Sequence, residues 1–170
     1  MREVMIKALL VDPSSNSPVV LLKDRDSKKA LPIWIGGAEA ISIAFGLQSE
    51  DFPRPLTHAL MKTVIDDLKA SVDRVVIKGM KDGTYFASIY VKDDQGDVLE
   101  FDARPSDSLA LSLRAGCPIF IDEEVFETGS IESPFADEDE FGDFVEYDLD
   151  LAEFKRRSHS EGGEAEAAAG

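Results

Sequence analysis

Two carboxylates stand two residues apart at the end of one predicted strand, in Asp97 to Asp102. Strand alternation puts Glu100 and Asp102 on one face. Carboxylates at this spacing can bind a divalent cation, which activates water for attack on a phosphodiester. Glu39, in the first turn of an earlier predicted helix, is a candidate third carboxylate. The alternative is that Glu100 and Asp102 line the polar, solvent-facing side of an antiparallel sheet, and that Glu39 only matches a helix dipole.

An arginine and a helix start follow directly, in Arg104-Pro105-Ser106-Asp107. Ser106 is predicted as the N-cap of the helix, and Asp107 as an acid of its first turn. Arg104 adds a guanidinium to the unpaired N–H groups of a helix N-terminus, a combination that suits a phosphate. The open alternative is that Arg104 pairs with Asp102 or Asp107 and only locks the turn.

His58 is the only histidine outside the C-terminal tail, and it follows Arg54-Pro55-Leu56-Thr57. Histidine is the side chain whose ordinary pKa suits proton transfer near neutrality. The alternative is a structural histidine at the start of a helix. The residues alone therefore indicate an anion site at a helix terminus with acids close by, and they name no reaction.

Several other chemistries lack their motifs. The sequence contains no GxxxxGK[ST], GxGxxG, HExxH or GxSxG pattern. Its single cysteine, Cys117, excludes a disulfide within the chain and a CxxC metal site. We predict no organic cofactor.

A strand meander and three helices must position these residues. Seven strands are predicted, at residues 4–11, 19–23, 31–35, 74–80, 84–92, 97–102 and 118–121. Helices are predicted at 38–47, at 57–70 with Thr57 as N-cap, and from Ser106 to Gly116. The apolar stripe of the second helix is predicted to face the core. This order predicts an α+β fold with a mostly antiparallel sheet of about six to seven strands and three main helices.

The acidity of the chain belongs to its C-terminal part. Of the net charge of −16, residues 122–170 contribute −14 and residues 1–121 only −2. We predict a domain over residues 1–126 and an acidic, largely disordered tail over 127–170, with a candidate docking segment at 141–155. The tail is interpreted as a solubilising segment, or alternatively as an autoinhibitor that mimics a nucleic-acid backbone.

Nothing in the sequence indicates a membrane protein. No apolar run approaches the roughly 20 residues that span a bilayer. Met1-Arg2-Glu3-Val4 carries an acid where a signal peptide has a basic region. We expect a cytoplasmic protein with no membrane partner.

Several motifs together resemble the bifunctional nuclease domain family over about residues 4–125. They are Leu31-Pro32-Ile33-Trp34-Ile35-Gly36, Glu39-Ala40, Arg54-Pro55-Leu56-Thr57-His58, Asp82-Gly83-Thr84-Tyr85-Phe86-Ala87 and Asp102-Ala103-Arg104-Pro105-Ser106-Asp107. The resemblance implies an α+β domain that forms dimers or larger homo-oligomers, and a nuclease activity on RNA and DNA. It also implies nucleic acid as a partner, but fold transfers better than activity.

This resemblance leads to an assignment of roles in a metal-assisted phosphodiesterase that uses Mg²⁺ or Mn²⁺. The predicted catalytic residues are His58, Arg104, Asp102 and Asp107. The predicted substrate ligands are Arg54, Arg104 and Ser106, and the predicted metal ligands are Glu39, Glu100 and Asp102. The alternative is a non-catalytic oligomeric binding or regulatory module of the same fold.

One motif departs from the family pattern. The family usually continues as Thr-His-Asp-Leu, whereas this chain has Thr57-His58-Ala59-Leu60. If that aspartate binds metal, this chain lacks a ligand. If it only favours the helix start, little is lost.

Overall fold

One eight-stranded sheet organises the chain in the computed structural model, which describes residues 1–24 and 26–133. The strands are β1 (Arg2–Asp12), β2 (Ser17–Asp24), β3 (Lys29–Trp34), β4 (Ser71–Lys81), β5 (Thr84–Lys92), β6 (Val98–Ala103), β7 (Ile119–Ile121) and β8 (Ile131–Glu132). Their order is β6-β5-β4-β7-β1-β2-β3-β8. Only the β4–β7 pair is parallel.

Four described helices accompany the sheet: α1 (Gly37–Leu47), α2 (Thr57–Asp67), α3 (Pro105–Ala115) and α4 (Glu123–Gly129). Buried residues of α1, α3 and α4 join alternate strand residues such as Ile77 and Ile89 in the main core. We call this side of the sheet the inner face and the opposite side the outer face. The α+β class with a mostly antiparallel sheet is confirmed, with one more short helix and an eighth strand.

The second helix does not bury the stripe that its sequence predicted. His58 is its only buried residue, while Leu60, Val64 and Leu68 are 53%, 49% and 73% exposed. Among the described elements, α2 packs mainly against α3 and one end of β4. Its apolar side therefore extends past the core, because periodicity shows that a helix has two sides but not how much of one side is covered.

Both predicted N-caps are shifted. Leu56 is the N-cap of α2 instead of Thr57, and Arg104 is the N-cap of α3 instead of Ser106. Pro105 takes the first position of α3, which suits proline because the first N–H of a helix has no partner in the helix. The other end of α3 is as predicted, since Gly116 has φ 67° and closes the helix in the left-handed region.

The fold continues past residue 126, where the domain was predicted to end. That boundary lies within α4, whose Val125 and Phe126 are buried in the main core. The predicted disorder of the tail and the docking segment at 141–155 lie outside the described residues. Within the described part of the chain, no helix is both long enough and apolar enough to cross a bilayer.

Candidate functional site

Three helix N-termini converge on the strongest candidate residues. Glu39 lies in the first turn of α1, His58 in the first turn of α2 and Asp107 in the first turn of α3, where Arg104 is the N-cap. We call these four residues the Arg104 cluster. Helix N-termini carry N–H groups without helical partners and the positive end of the dipole, so an anion is stabilised in this region.

The close packing of α1 on α3 explains why two of these N-termini meet. A Cβ atom added at Gly46 of α1 would lie 2.9 Å from Cβ of Leu113 in α3. Towards the N-terminal ends of the same helices, Glu39 contacts Arg104. The two helices therefore lie side by side in the same direction, and the small residue at position 46 permits their approach.

The Arg104 guanidinium links α1 to α3 through two carboxylates. Its Nε donates to Oδ2 of Asp107 at 2.7 Å, and its Nη2 donates to Oδ1 of Asp107 at 3.0 Å and to Oε1 of Glu39 at 2.6 Å. The paired contact with Asp107 is the geometry in which arginine holds a carboxylate best. The side chain is nevertheless 65% exposed. Within residues 1–24 and 26–133, Nη1 donates no hydrogen bond, so one edge of the guanidinium remains available to a ligand.

His58 lies behind Asp107. Its Nε2 is 3.1 Å from Oδ1 of Asp107, and its side chain is 9% exposed. Its Nδ1 is buried and has no hydrogen-bond partner among the described residues. A buried polar atom of this kind is costly unless a ligand, water or proton change satisfies it. His58 therefore contacts the charged cluster through Asp107.

The charges of the cluster stabilise one another. Burial raises the pKa of the Asp107 carboxyl, but hydrogen bonds and charge from Arg104 and His58 outweigh that effect and leave the pKa below its usual value. Asp107 and Glu39 together raise the pKa of Arg104. Asp107 is thus held as a carboxylate next to a permanent cation.

Two cavities adjoin Arg104. One, of about 440 Å³, lies between the N-termini of α1, α2 and α3 and is lined in part by Glu39, Ser42, His58, Arg104 and Asp107. The other, of about 310 Å³, adjoins β3 and the β4–β5 turn and is lined in part by Trp34, Gly83, Thr84, Tyr85, Arg104 and Ser106. Arg104 is common to both, so it can contact a ligand in either.

The other two predicted metal ligands lie on the opposite side of the sheet. Glu100 and Asp102 share a face, as alternation predicted, since they pair with Tyr90 and Ser88 of β5. That is the outer face, because the intervening Ile89 belongs to the main core. Glu100 accepts hydrogen bonds from Lys78 and from Ser88, the latter at 2.9 Å, and the Lys78 contact lowers its pKa.

The acids do not form a metal site as they stand. In the part of the chain that the structure describes, no group of three histidine, cysteine, aspartate or glutamate side chains is arranged to hold a metal ion. Glu39 lies on the helix side of the sheet and is occupied by Arg104. The Mg²⁺ or Mn²⁺ site therefore stays a prediction.

The remaining candidates have different settings. Ser106 is buried, caps no helix with its side chain and lines the smaller cavity. Arg54 is exposed and forms no hydrogen bond or ion pair with the described residues. Arg104 pairs with Asp107, which was one predicted alternative, but not with Asp102. The structure thus joins Arg104, Asp107, His58 and Glu39 and leaves Arg54, Glu100 and Asp102 outside.

Sequence reasoning missed the second cavity. Trp34, Thr84 and Tyr85 approach Arg104 from β3 and β5. The signal was present, because Leu31 to Gly36 and Asp82 to Ala87 are among the motifs that carried the family resemblance. No local pattern shows that these two segments meet beside Arg104, since their contact depends on the sheet order.

Comparisons with known proteins point to one family. A model of the bifunctional nuclease domain matches residues 20–134, which include the whole Arg104 cluster. An uncharacterized protein of Mycobacterium tuberculosis is 36% identical over 140 residues, which is 82% of this chain and 83% of that protein.

Two plant proteins match over part of their length. Bifunctional nuclease 2 of Arabidopsis thaliana is 24% identical over 110 residues, 64% of this chain and 33% of that protein. Bifunctional nuclease 1 of the same plant is 23% identical over 128 residues, 69% of this chain and 39% of that protein.

Proposed function

The chain belongs to the bifunctional nuclease domain family, and on this premise we propose that it hydrolyses phosphodiester bonds of RNA or DNA at the Arg104 cluster. One observation carries the proposal. An exposed arginine, two carboxylates and a nearly buried histidine meet at three helix N-termini beside two cavities. Plant relatives of the chain are named nucleases.

Arg104 is the proposed phosphate ligand. Its exposed edge and the N-terminal N–H groups of α3 can bind a phosphate together, because both present donors to an anion. A phosphate that takes Nη2 would compete with Glu39 for the same nitrogen. The charge developing on the phosphate in the transition state strengthens such contacts, which is how an arginine contributes to rate.

Asp107 and His58 are the proposed proton-handling pair. The Asp107 side chain is 28% exposed and lines the larger cavity, whereas His58 reaches the cluster through its contact with Asp107. A proton taken up at this pair can be shared between the carboxylate and the imidazole. His58 would then set the protonation state of Asp107 and position it.

Metal assistance enters the proposal only as a measured condition. The described acids do not form a three-ligand site, and Glu39 and Asp107 are neutralised by Arg104. No step of the proposed reaction therefore uses a metal ion. The predicted dependence on Mg²⁺ or Mn²⁺ is tested by adding each ion, or a chelator, to the same assay.

The test is cleavage of fluorescent single-stranded RNA and DNA by highly purified protein, followed by gel separation of the products. We expect cleavage by the wild type and a loss of about 100-fold or more in kcat/KM for Arg104→Ala. Arg114→Ala is the matched control, because Arg114 is also on α3 and also pairs with a carboxylate, that of Asp51. Equal cleavage by all three proteins would indicate a contaminating nuclease and remove the proposal.

A second candidate function, a non-catalytic binding module, is favoured by the internal pairing of the cluster. With His58 neutral, one arginine faces two carboxylates, which leaves a net charge of −1 and weakens attraction to a polyanion. On this view the domain binds a ligand without turnover. Binding that depends on Arg104, together with no cleavage under any metal condition, would select this candidate.

Self-association is part of the proposal for either function. Leu60, Val64 and Leu68 of α2 are large exposed apolar residues, as are Leu99 and Phe101 of the edge strand β6. Exposed apolar side chains of this number are typical of an interface. Sedimentation of the full chain should show a dimer or larger assembly that Val64→Glu disrupts, whereas Lys69→Glu, an exposed charge change just beyond α2, should leave the assembly intact.

A further inference from the structure

A second apolar cluster lies on the outer face, away from the helices. Its members are Ala8 of β1, Leu21 of β2 and Ala30 of β3, with Leu10 packed against them. The strand register fixes their side of the sheet. Ala8 pairs with Leu21, whereas the adjacent pair of Leu9 and Val20 belongs to the main core. We call this surface the outer β1–β3 face.

This face is buried although no described helix contributes to it. Leu21 and Ala8 are each 2% exposed and Ala30 is 0% exposed. The cluster contains only strand residues within the described part of the chain. The cross-strand neighbours of Leu21 are Ala8 and Pro32, which are too small to shield a leucine from above. Phe86, on the same outer face of β5, is 45% exposed.

Two lysines at this face are almost as inaccessible. Lys23 pairs with Ala30 across the strands and is 8% exposed, and Lys7, beside Ala8 at the β-bulge of β1, is 7% exposed. Each has an interaction partner. An ammonium group withdrawn from water is tolerated when acids or hydrogen-bond acceptors surround it. The occupant of this face must therefore combine apolar and acidic side chains.

We infer that residues 134–154 of the same chain cover the outer β1–β3 face. This segment holds nine acids and no base. Its large apolar residues are Phe135, Phe141, Phe144, Val145, Tyr147, Leu149, Leu151 and Phe154. From Val145 to Leu151 apolar residues and acids alternate, so that one segment carries both of the required chemistries.

The position of the last described residues makes this occupant reachable. In β8, Ile131 pairs with Ala30, and the N–H of Ser133 donates to the carbonyl of Lys28 at 2.7 Å. The chain therefore leaves the structure at the edge of this face. Crossing from β8 to β1 covers three strand spacings, roughly 14 Å, which about five extended residues can span.

The inference is independent of the proposed nuclease activity, and it gives the acids a different position from an autoinhibitor. An inhibitory tail would compete for Arg104, whereas Lys23 faces the side of the sheet opposite the helices. The occupant also accounts for two lysines in a domain that otherwise keeps its charged side chains at the surface.

Lysine acetylation of the full-length chain tests the inference. Lys7 and Lys23 should be acetylated at least about tenfold more slowly than the exposed Lys69 and Lys92, because reaction requires local opening of the segment. Tyr147→Asp with Leu149→Asp should bring their rates close to those of the exposed lysines. Ala165→Asp with Ala167→Asp adds the same charge farther along the chain and should leave the protection intact. Unchanged protection in the first variant would overturn the inference.

Cross-linking identifies the occupant without any substitution. A carbodiimide should join Lys7 or Lys23 to acids between 137 and 153 in the full-length chain. A mixture of isotopically light and heavy protein separates two sources. Links within one isotope support the inference, whereas links only between isotopes would assign the face to a second copy, and links only to acids of residues 1–133 would assign it to the domain itself.

Discussion

The molecule contains two arginine–carboxylate clusters that differ in what surrounds them. Arg2 donates to Asp24 at 2.6 Å, to Glu127 at 3.1 Å and to Glu123. Its guanidinium carbon lies 4.7 Å from the centre of the Phe126 ring. We call this group the Arg2 cluster. The Arg2 side chain is 23% exposed, whereas Arg104 is 65% exposed.

This difference shows that pairing with carboxylates does not by itself indicate a functional site. In the Arg2 cluster the guanidinium uses its edges and a ring face to join β1 to β2 and α4, which is a structural task. In the Arg104 cluster one edge stays open to two cavities, and a histidine with an unsatisfied nitrogen lies behind the carboxylate. Openness and a titratable partner, not charge, separate the two clusters.

Neutralising one aspartate in each cluster should give the largest contrast. Asp107→Asn removes the charge that holds Arg104 and contacts His58, so we expect cleavage of single-stranded nucleic acid to fall by about 100-fold or more. Asp24→Asn should leave kcat/KM within about twofold of the wild type, because Asp24 touches no cavity of the Arg104 cluster. Similar losses in both variants would mean that the comparison reports stability and not function.

Replacement of His58 sharpens the functional side of the contrast. His58→Gln can keep a hydrogen bond to Asp107 but cannot titrate, so we expect a rate loss of about tenfold or more. The dependence of kcat on pH should also lose a limb in the neutral range, which a structural role would not affect. Circular dichroism provides the folding control. A pH profile with the wild-type shape would limit His58 to a structural role.

The stability contrast should run in the opposite direction. Arg2→Ala leaves the nearly buried carboxylate of Asp24 without its partner, so we expect the free energy of unfolding to fall by about 1 to 2 kcal/mol. Arg104→Ala removes exposed contacts and should cost less, at most about 1 kcal/mol. Urea unfolding of both variants measures this difference. A larger loss in Arg104→Ala would make that cluster the structural one.

Local features of both clusters could be predicted from the sequence. Alternation correctly placed Glu100 and Asp102 on one strand face, and Gly116 correctly ended α3. The start of α3 within Arg104 to Asp107 was predicted to within two residues, with the cap assigned to Ser106 instead of Arg104. Such features depend on neighbours a few positions away, which a single sequence contains.

Contacts between distant elements could not be predicted in this way. Arg104 and Glu39 are 65 positions apart and meet because Gly46 lets α1 pack closely on α3. The same limit separated Glu39 from Glu100 and Asp102, because the sequence does not show on which side of the sheet the helices pack. The exposed apolar side of α2 is a third case, since covering it depends on what packs there.

Acid titration of stability gives the smallest and most specific contrast. Burial raises the pKa of Asp24 and Asp107, but hydrogen bonds, with their arginines contributing, lower both below the usual value, and a hydrogen bond from Arg2 lowers the pKa of Glu123. A depressed folded pKa stabilises the protein above the unfolded pKa, about 4, and this contribution is lost as pH falls through the folded pKa. Arg2→Ala weakens two such carboxyls and Arg104→Ala one. The loss of stability between neutral and acidic pH should therefore become shallower in Arg2→Ala than in Arg104→Ala, as measured by urea unfolding at several pH values. If both variants kept the wild-type slope, neither arginine would control the acid response.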